Sequence, residues 1–220
     1  MKTTQFKLRL FGIFGILGGF ILFAGDMLLY YVPSSTNLFK NMGFVSDLRI
    51  VLSGLSALIA AWFYTLGAGQ MYHAFRPAKN TIRNTASIIF AGILIGYGVV
   101  HGAYIAIATS VKIAMQNQMD LQTTTRLAID VNLAIRMLIY PLFAILSIIF
   151  IWQVWQKKTL YPRWMILFYP LLTFGLKDFI INLFSGNLRI IIEGGFLNLI
   201  LVVFFTMSTI SLWNATAIKD

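Results

Sequence analysis

The sequence is poor in the residues that most metalloproteins and many enzymes use. It has no cysteine, two histidines and seven acidic residues in 220. The absence of cysteine excludes disulfides, cysteine-ligated zinc, iron–sulfur clusters and thiol catalysis. The two histidines, His73 and His101, are predicted at different depths of a membrane, so they do not share a haem iron or a histidine-rich zinc site. We therefore predict no metal and no cofactor.

Charge is also scarce. Only 11% of the residues are charged while 59% are hydrophobic, and the mean hydropathy is +0.81. Soluble domains are about a quarter charged, so a water-soluble globule, a disordered chain and a coiled coil are excluded. No P-loop, dinucleotide-binding fingerprint or nucleophile elbow is present. The net charge of +10 is better explained by loops facing an anionic cytoplasmic leaflet of the bilayer than by nucleic-acid binding.

Six apolar stretches are long enough to cross a bilayer, which takes about 20 residues. They predict an all-α, polytopic integral membrane protein, a six-transmembrane-helix bundle that forms a single domain over residues 1–220. Pro141 and Pro170 are predicted kink points. The predicted spans are about 10–31, 50–72, 86–111, 127–155, 164–184 and 190–213.

The distribution of lysine and arginine predicts the orientation. Ten lie on the side of the termini: Lys2, Lys7, Arg9, Arg76, Lys79, Arg83, Lys157, Lys158, Arg163 and Lys219. Five lie on the other side: Lys40, Arg49, Lys112, Arg126 and Arg189. We therefore expect a protein of the cell (inner) membrane with both termini cytoplasmic. The long outer loops, about 32–47 and 112–125, are predicted either as lids over the outer face or as plain solvated loops.

Glycine pairs and an internal repeat are two further patterns. Gly92 with Gly96, and Gly98 with Gly102, form small-xxx-small motifs that predict close helix contact. Separately, two segments, residues 44–54 and 184–194, align without gaps.

Residues 44–54 and 184–194 share Leu-Arg-Ile in register, and each begins an even-numbered predicted span. Asp26 and Asp178 lie late in the preceding spans, and His101 takes the same place in span 3. This predicts three repeated helical hairpins, although apolar sequence also gives such matches by chance. Repeats commonly place a binding site at their shared axis.

The polar residues of the predicted spans gather in one half of the bilayer. At about 1.5 Å per residue, Asp26, His101 and Asp178 lie roughly 20–25 Å from the cytoplasmic ends of their spans. Charged groups at such depths normally face a bundle interior or a wet cavity. The pattern predicts an outward-facing polar cavity in the outer half, above an apolar inner plug.

The candidate ligand-binding residues combine acids, bases, amides and a phenol. They are Asp26, His101, Asp130, Asn132, Arg136, Tyr140, Lys177, Asp178, Glu193 and Asn198. One face of span 4 carries three of them, Asn132, Arg136 and Tyr140, at positions i, i+4 and i+8. The alternative is purely structural, because interhelical ion pairs would also determine which helices meet.

Chain length, six predicted spans, cytoplasmic termini and an outward-facing site resemble the substrate-binding membrane subunits of energy-coupling-factor vitamin transporters. The resemblance is architectural and implies a substrate-binding membrane subunit. The segment from Gly25 to Tyr31 is also similar to the opening of uncharacterised bacterial multi-pass proteins, which implies no activity.

Three functions fit the pattern. The first is binding or transport of a small polar or zwitterionic solute, with Arg136 or Lys177 pairing its anionic group and Asp26 or Asp178 its cationic group. The second is a membrane-embedded enzyme that uses partly buried carboxylates for acid–base chemistry on a lipid or terpenoid. The third is a structural or partner subunit whose charges serve helix assembly. A small molecule or a lipid is therefore the expected ligand.

Overall fold

The computed structural model describes residues 2–33 and 35–213, with side chains from residue 5 onward. Over these ranges the chain forms nine α-helices, one 3₁₀ helix and no strand. The α-helices are α1 Lys2–Tyr30, α2 Leu38–Phe44, α3 Asp47–Ala74, α4 Asn80–Gln116, α5 Leu121–Trp155, α6 Pro170–Gly175, α7 Lys177–Asn182, α8 Gly186–Gly194 and α9 Phe196–Leu212. The 3₁₀ helix covers Arg163–Phe168.

Four helices, α1, α3, α4 and α5, are long and apolar enough to cross a membrane, and the pair α8 and α9 passes the same test if it counts as one bent span. The prediction of an all-helical protein with apolar helices of spanning length is confirmed. The first four predicted spans correspond to α1, α3, α4 and α5. Six continuous spans are not formed by the described residues.

The predicted fifth span is broken into the 3₁₀ helix, α6 and α7. The break has a local cause at Tyr169, whose φ of −70° and ψ of 134° are extended. The following residue is Pro170, and a proline disfavours helical backbone in the residue before it. Pro141 behaves differently, because α5 continues through it without interruption.

The predicted sixth span is bent by 71° between α8 and α9. Two glycines, Gly194 and Gly195, stand at this bend. A Cβ on Gly195 would collide with the ring of Phe23, and one on Gly194 would lie 3.2 Å from Tyr30. Glycine therefore allows both the sharp bend and the close approach to α1.

The first and last helices meet at the same end of the bundle. Gln5 donates to the Trp213 carbonyl oxygen at 2.8 Å, and Arg9 donates to the same oxygen at 3.0 Å. The Arg9 guanidinium also lies over the Trp213 ring. Residues 5–9 and 213 therefore lie at the same end of the bundle. The basic side chains of Lys2 and Lys219 lie outside the described residues.

The tightest helix contact is not at the predicted glycine pairs. A Cβ on Gly67 would lie 2.7 Å from the Cα of Gly15, so α1 and α3 pack backbone against backbone. In α4, by contrast, Gly92 and Gly102 have no neighbour within 4 Å. Each predicted motif has one glycine in contact and one in open space, so neither motif forms a packing face. The motif requires a partner helix on that face, which sequence spacing does not supply.

The half of the bundle near the termini, which the sequence predicts to be the inner half, holds an aromatic cluster and a neutral polar network. Phe150 stacks on Tyr169 with centroids 4.3 Å apart. Beside the aromatic cluster, the Ser208 hydroxyl donates to Oε1 of Gln70 at 2.7 Å and bonds the Tyr161 hydroxyl at 2.8 Å. Gln70 also donates to Thr209 Oγ1 at 3.2 Å. The predicted inner plug is therefore not wholly apolar, although its polar groups are uncharged and paired.

The first outer loop contains α2, which is anchored over the bundle. The buried Asn41 donates to the Tyr30 carbonyl oxygen at 2.8 Å and to that of Ser35 at 3.2 Å. Met42 of α2 and Val45, the residue just after α2, are buried in a cluster that includes Val111 of α4. The loop therefore forms a fixed cover and not a plain solvated loop.

The two segments of the predicted repeat have different roles. Arg49 donates to three carbonyl oxygens at the end of α1, those of Met27, Leu28 and Tyr31, at 2.8–2.9 Å. Arg189 instead lies 3.7 Å from Glu193 within α8. The repeat is not confirmed.

Candidate functional site

A cavity of about 380 Å³ lies in the half of the bundle away from the termini, which the sequence predicts to be the outer half. Its wall is formed by residues of α1 and of α4 to α9, and Leu38, Phe39 and Met42 of α2 cover it. This volume is within the usual range for small-molecule sites, about 300–1,000 Å³. Most of the wall is apolar and aromatic, with charged groups at a few positions.

Seven of the ten predicted candidate residues line this cavity. They are Asp26, His101, Arg136, Tyr140, Lys177, Glu193 and Asn198. They come from α1, α4, α5, α7, α8 and α9, so the fold brings together side chains that are distant in sequence. Their part in ligand binding stays a prediction.

The other three candidates are elsewhere. Asp130 is exposed and lies 3.9 Å from Arg126 within α5. Asn132 is buried, but its amide donates to the Val100 carbonyl oxygen at 3.0 Å and joins two helices. Asp178 is exposed on the six-residue α7. Its predicted place late in a continuous helix was wrong, because Pro170 and the breaks after it redirect the chain.

Asp26 is the centre of a buried polar network. Its Oδ1 is 3.0 Å from His101 Nδ1, and its Oδ2 accepts from Asn198 Nδ2 at 2.6 Å. His101 Nε2 is 2.8 Å from the Ser53 hydroxyl. The Tyr64 hydroxyl donates to Asn198 Oδ1 at 3.1 Å. Four helices are linked, and every member has a partner, as a stable buried network requires.

The hydrogen bonds of Ser53 define where the protons lie. Its single hydroxyl proton is donated to the Gly25 carbonyl oxygen at 2.8 Å, so the hydroxyl accepts from His101 Nε2. The bond between His101 Nδ1 and Asp26 then holds one further proton. The pair carries no net charge whichever of the two atoms binds this proton.

Ser53, His101 and Asp26 have the connectivity of a catalytic triad but not its access. Ser53 is fully buried and does not line the cavity. Its proton is also donated away from the histidine. A hydroxyl that a substrate cannot reach is not a nucleophile. Ser53 therefore serves to position His101, which in turn positions Asp26.

The basic residues of the cavity do not form the interhelical ion pairs that the structural alternative requires. Arg136 donates to the Tyr104 hydroxyl and lies over its ring, and within the described chain no carboxylate lies within ion-pair distance of it. Lys177 has no hydrogen-bond or ion-pair partner among the described side chains. Two cations that lack an acid therefore face the same cavity.

Several aromatic residues of the wall were not among the predicted site residues. Tyr30, Tyr97, Tyr104 and Phe174 line the cavity. Tyr97 and Tyr104 stand four residues before and three after His101, which places all three on one face of α4. A search of the positions three and four residues from each charged residue of a helix would have identified these tyrosines. Nothing in the sequence indicates Phe174, because its position depends on the break at Pro170.

No group of three or more His, Asp or Glu side chains that could hold a metal ion occurs in the part of the chain that the structure describes.

Comparison with known proteins gives a family but no function. The model of a family of unknown function (DUF6796) matches residues 1–215. No curated protein and no solved structure matches the chain. The architectural resemblance to vitamin-transporter subunits therefore stays a prediction.

Proposed function

The chain belongs to this family of unknown function, and from the geometry of its cavity we propose that it is a cell-membrane protein that binds or transports a small polar or zwitterionic organic solute with an anionic group. The observation that carries the proposal is the pair of cations, Arg136 and Lys177, that face the cavity without a carboxylate partner. A charged group in a membrane interior is costly unless it is paired. An anionic ligand would supply the missing partner, and arginine suits carboxylate or phosphate because it donates in a planar fork.

The proposed topology has six crossings with both termini cytoplasmic. The chain leaves α5 at the end of the bundle where Leu160 donates to the Ala74 carbonyl oxygen at 2.7 Å. It then returns outward through the 3₁₀ helix, α6 and α7, since Lys177 lines the outer-half cavity. The fifth crossing is thus a broken one. Non-helical backbone at membrane depth is tolerated where it lines a cavity.

Thermal unfolding of the purified protein in detergent tests the binding proposal. A mixture of small organic carboxylates and phosphates at about 100 times the Kd should stabilise the folded state by about 2.7 kcal/mol and raise the Tm. The Arg136→Gln/Lys177→Gln variant should lose this shift. Lys40→Gln/Lys158→Gln is the matched control, because it removes two cations outside the cavity. No shift of the wild-type protein with any anion, or an equal shift of the cavity variant, would contradict the proposal.

A second candidate function is acid–base catalysis on a lipid or terpenoid. It is favoured by Asp26 and His101, which share a proton and both line the cavity. It is ranked second because both nitrogens of His101 and both oxygens of Asp26 already have protein partners. Comparison of lipid extracts from wild-type and His101→Gln cells distinguishes the two functions. An enzyme predicts a missing product, whereas a binding protein predicts unchanged lipid species.

A further inference from the structure

We propose that the ligand is an amphiphile, a phosphate or carboxylate head group on an apolar tail, and that it reaches the cavity sideways from the bilayer between α5 and α6. This inference rests on the proposed function and specifies its ligand. It depends on three features of the cavity: a cover on the outer side, a floor on the inner side and an opening in the wall at membrane depth.

The cover is α2, which lies over the cavity on its predicted outer side. Leu38, Phe39 and Met42 present apolar side chains to the cavity. Asn41 fastens α2 to the end of α1. The adjoining chain is fastened to α4, since Lys112 donates to the Val45 carbonyl oxygen at 3.0 Å.

The floor is aromatic. Tyr169 stacks on Phe143 with centroids 6.0 Å apart and on Phe150 at 4.3 Å. These contacts join α5 to the residue just before α6 and separate the cavity from the inner half.

The opening lies one helical turn outward of this floor. Tyr140 of α5 and Phe174 of α6 both line the cavity, and they remain 46% and 42% exposed. Roughly 22 Å of helix separates Tyr140 from Trp155, and roughly 20 Å separates it from Leu127. The opening is therefore within the hydrocarbon core, which is roughly 30 Å thick.

An opening to lipid with an apolar wall and two unpaired cations fits one ligand chemistry. The anionic head lies at Arg136 and Lys177, and the tail follows the apolar wall and leaves between Tyr140 and Phe174. The head group of a membrane lipid and a single-chain phosphate or fatty acid share this chemistry. The experiment separates both from a free water-soluble anion.

Binding is measured with radiolabelled dodecyl phosphate on the protein in phosphatidylcholine nanodiscs, against empty nanodiscs, at known free aqueous concentration. Propyl phosphate and inorganic phosphate are the water-soluble arms, and dodecanoate tests the carboxylate head. Affinity should rise about fourfold per methylene group that leaves water. The Arg136→Gln/Lys177→Gln variant should weaken dodecyl phosphate binding at least about tenfold, the loss expected for one charge-assisted hydrogen bond.

Failure of this inference is distinct from failure of the proposed function. Propyl or inorganic phosphate binding as tightly as dodecyl phosphate would overturn the amphiphile and leave an anion site. Absence of binding by dodecyl phosphate and dodecanoate, together with an anion-dependent Tm shift, would do the same. Absence of both the binding and the Tm shift would overturn both proposals.

The route is tested by fixing the cover. A Cβ on Gly43 would lie 3.4 Å from Met115 Cγ, and the chain has no cysteine, so Gly43→Cys/Met115→Cys can form a single disulfide from α2 to α4. Sideways access predicts the same association rate for dodecyl phosphate in the oxidised and reduced forms. Asn41→Ala, which loosens the cover, should likewise leave the rate unchanged. A slower rate on oxidation, or a faster one in Asn41→Ala, would overturn the sideways route.

Discussion

The outer and inner halves of the bundle both contain a buried polar network, yet only the outer one borders the cavity. In the inner half, Gln70, Ser208 and Tyr161 are uncharged and pair with one another. In the outer half, Asp26 and His101 pair with each other and also line the cavity. Two helices, α3 and α9, contribute to both networks.

The difference lies in what surrounds each network. Aromatic rings fill the space beside the inner network, with the Phe150 ring in contact with those of both Tyr161 and Tyr169. Beside the outer network, α5 and the broken fifth segment leave a space that Arg136 and Lys177 face. A buried polar group alone is therefore poor support for a binding site. Unfilled volume together with unpaired charge is better support.

The largest predicted effect concerns Asp26. Asp26→Leu removes the partner of both His101 and Asn198. Leaving one member of a buried pair alone costs about 3 kcal/mol, so we expect a marked drop in Tm and loss of anion binding. The measurement is thermal unfolding in detergent by intrinsic fluorescence.

Asp178→Leu is the matched control for Asp26→Leu, because Asp178 is an exposed acid. Its expected change in the free energy of unfolding is within about 0.5 kcal/mol. Similar effects of the two variants would remove the distinction between a site acid and a surface acid.

An intermediate effect is expected at Arg49, which caps α1 from the outer side. Arg49→Gln loses charge-assisted hydrogen bonds to the Met27, Leu28 and Tyr31 carbonyls, and we expect a loss of about 2 kcal/mol. Arg189→Gln, at the equivalent place in the sequence repeat, should cost about 0.5 kcal/mol or less, as for a partly exposed ion pair. Equal losses in chemical unfolding would revive the repeat.

Among the buried hydrogen-bonded side chains, the smallest predicted effect concerns Gln70 of the inner network. Gln70→Leu removes hydrogen bonds to Ser208 and Thr209. Interhelical hydrogen bonds in membranes contribute about 0.6 kcal/mol each, so stability should fall by about 1 kcal/mol. Anion binding in the outer cavity should be unchanged. A binding defect as large as that of the Arg136→Gln/Lys177→Gln variant would show that the two halves are not independent.

The sequence predicted the first four helices of membrane-spanning length and the charged residues that line the cavity, because both depend on local properties. An apolar run without a break forms a helix in a bilayer, and charged residues deep within it face the bundle interior. Asp26, His101 and Arg136 follow this rule. Asp178 does not, because the rule assumes a continuous helix and the chain is broken around it.

Proline chemistry explains much of what prediction missed. The sequence indicates a kink at both Pro141 and Pro170, but α5 continues through the first and the chain breaks at the second. The outcome depends on what each segment packs against. Phe174 reaches the cavity wall only as a consequence of that break.

The sequence by itself determined that the chain forms apolar helices of membrane-spanning length and which half of the bundle holds the charged groups of those helices, since both follow from transfer free energy along the chain. The tertiary structure alone decided which charges are paired. Asp26 meets His101 and Asn198, whereas Arg136 and Lys177 meet no acid within the described chain. Pairing depends on distances between helices far apart in sequence, and residue spacing along one helix does not contain that information.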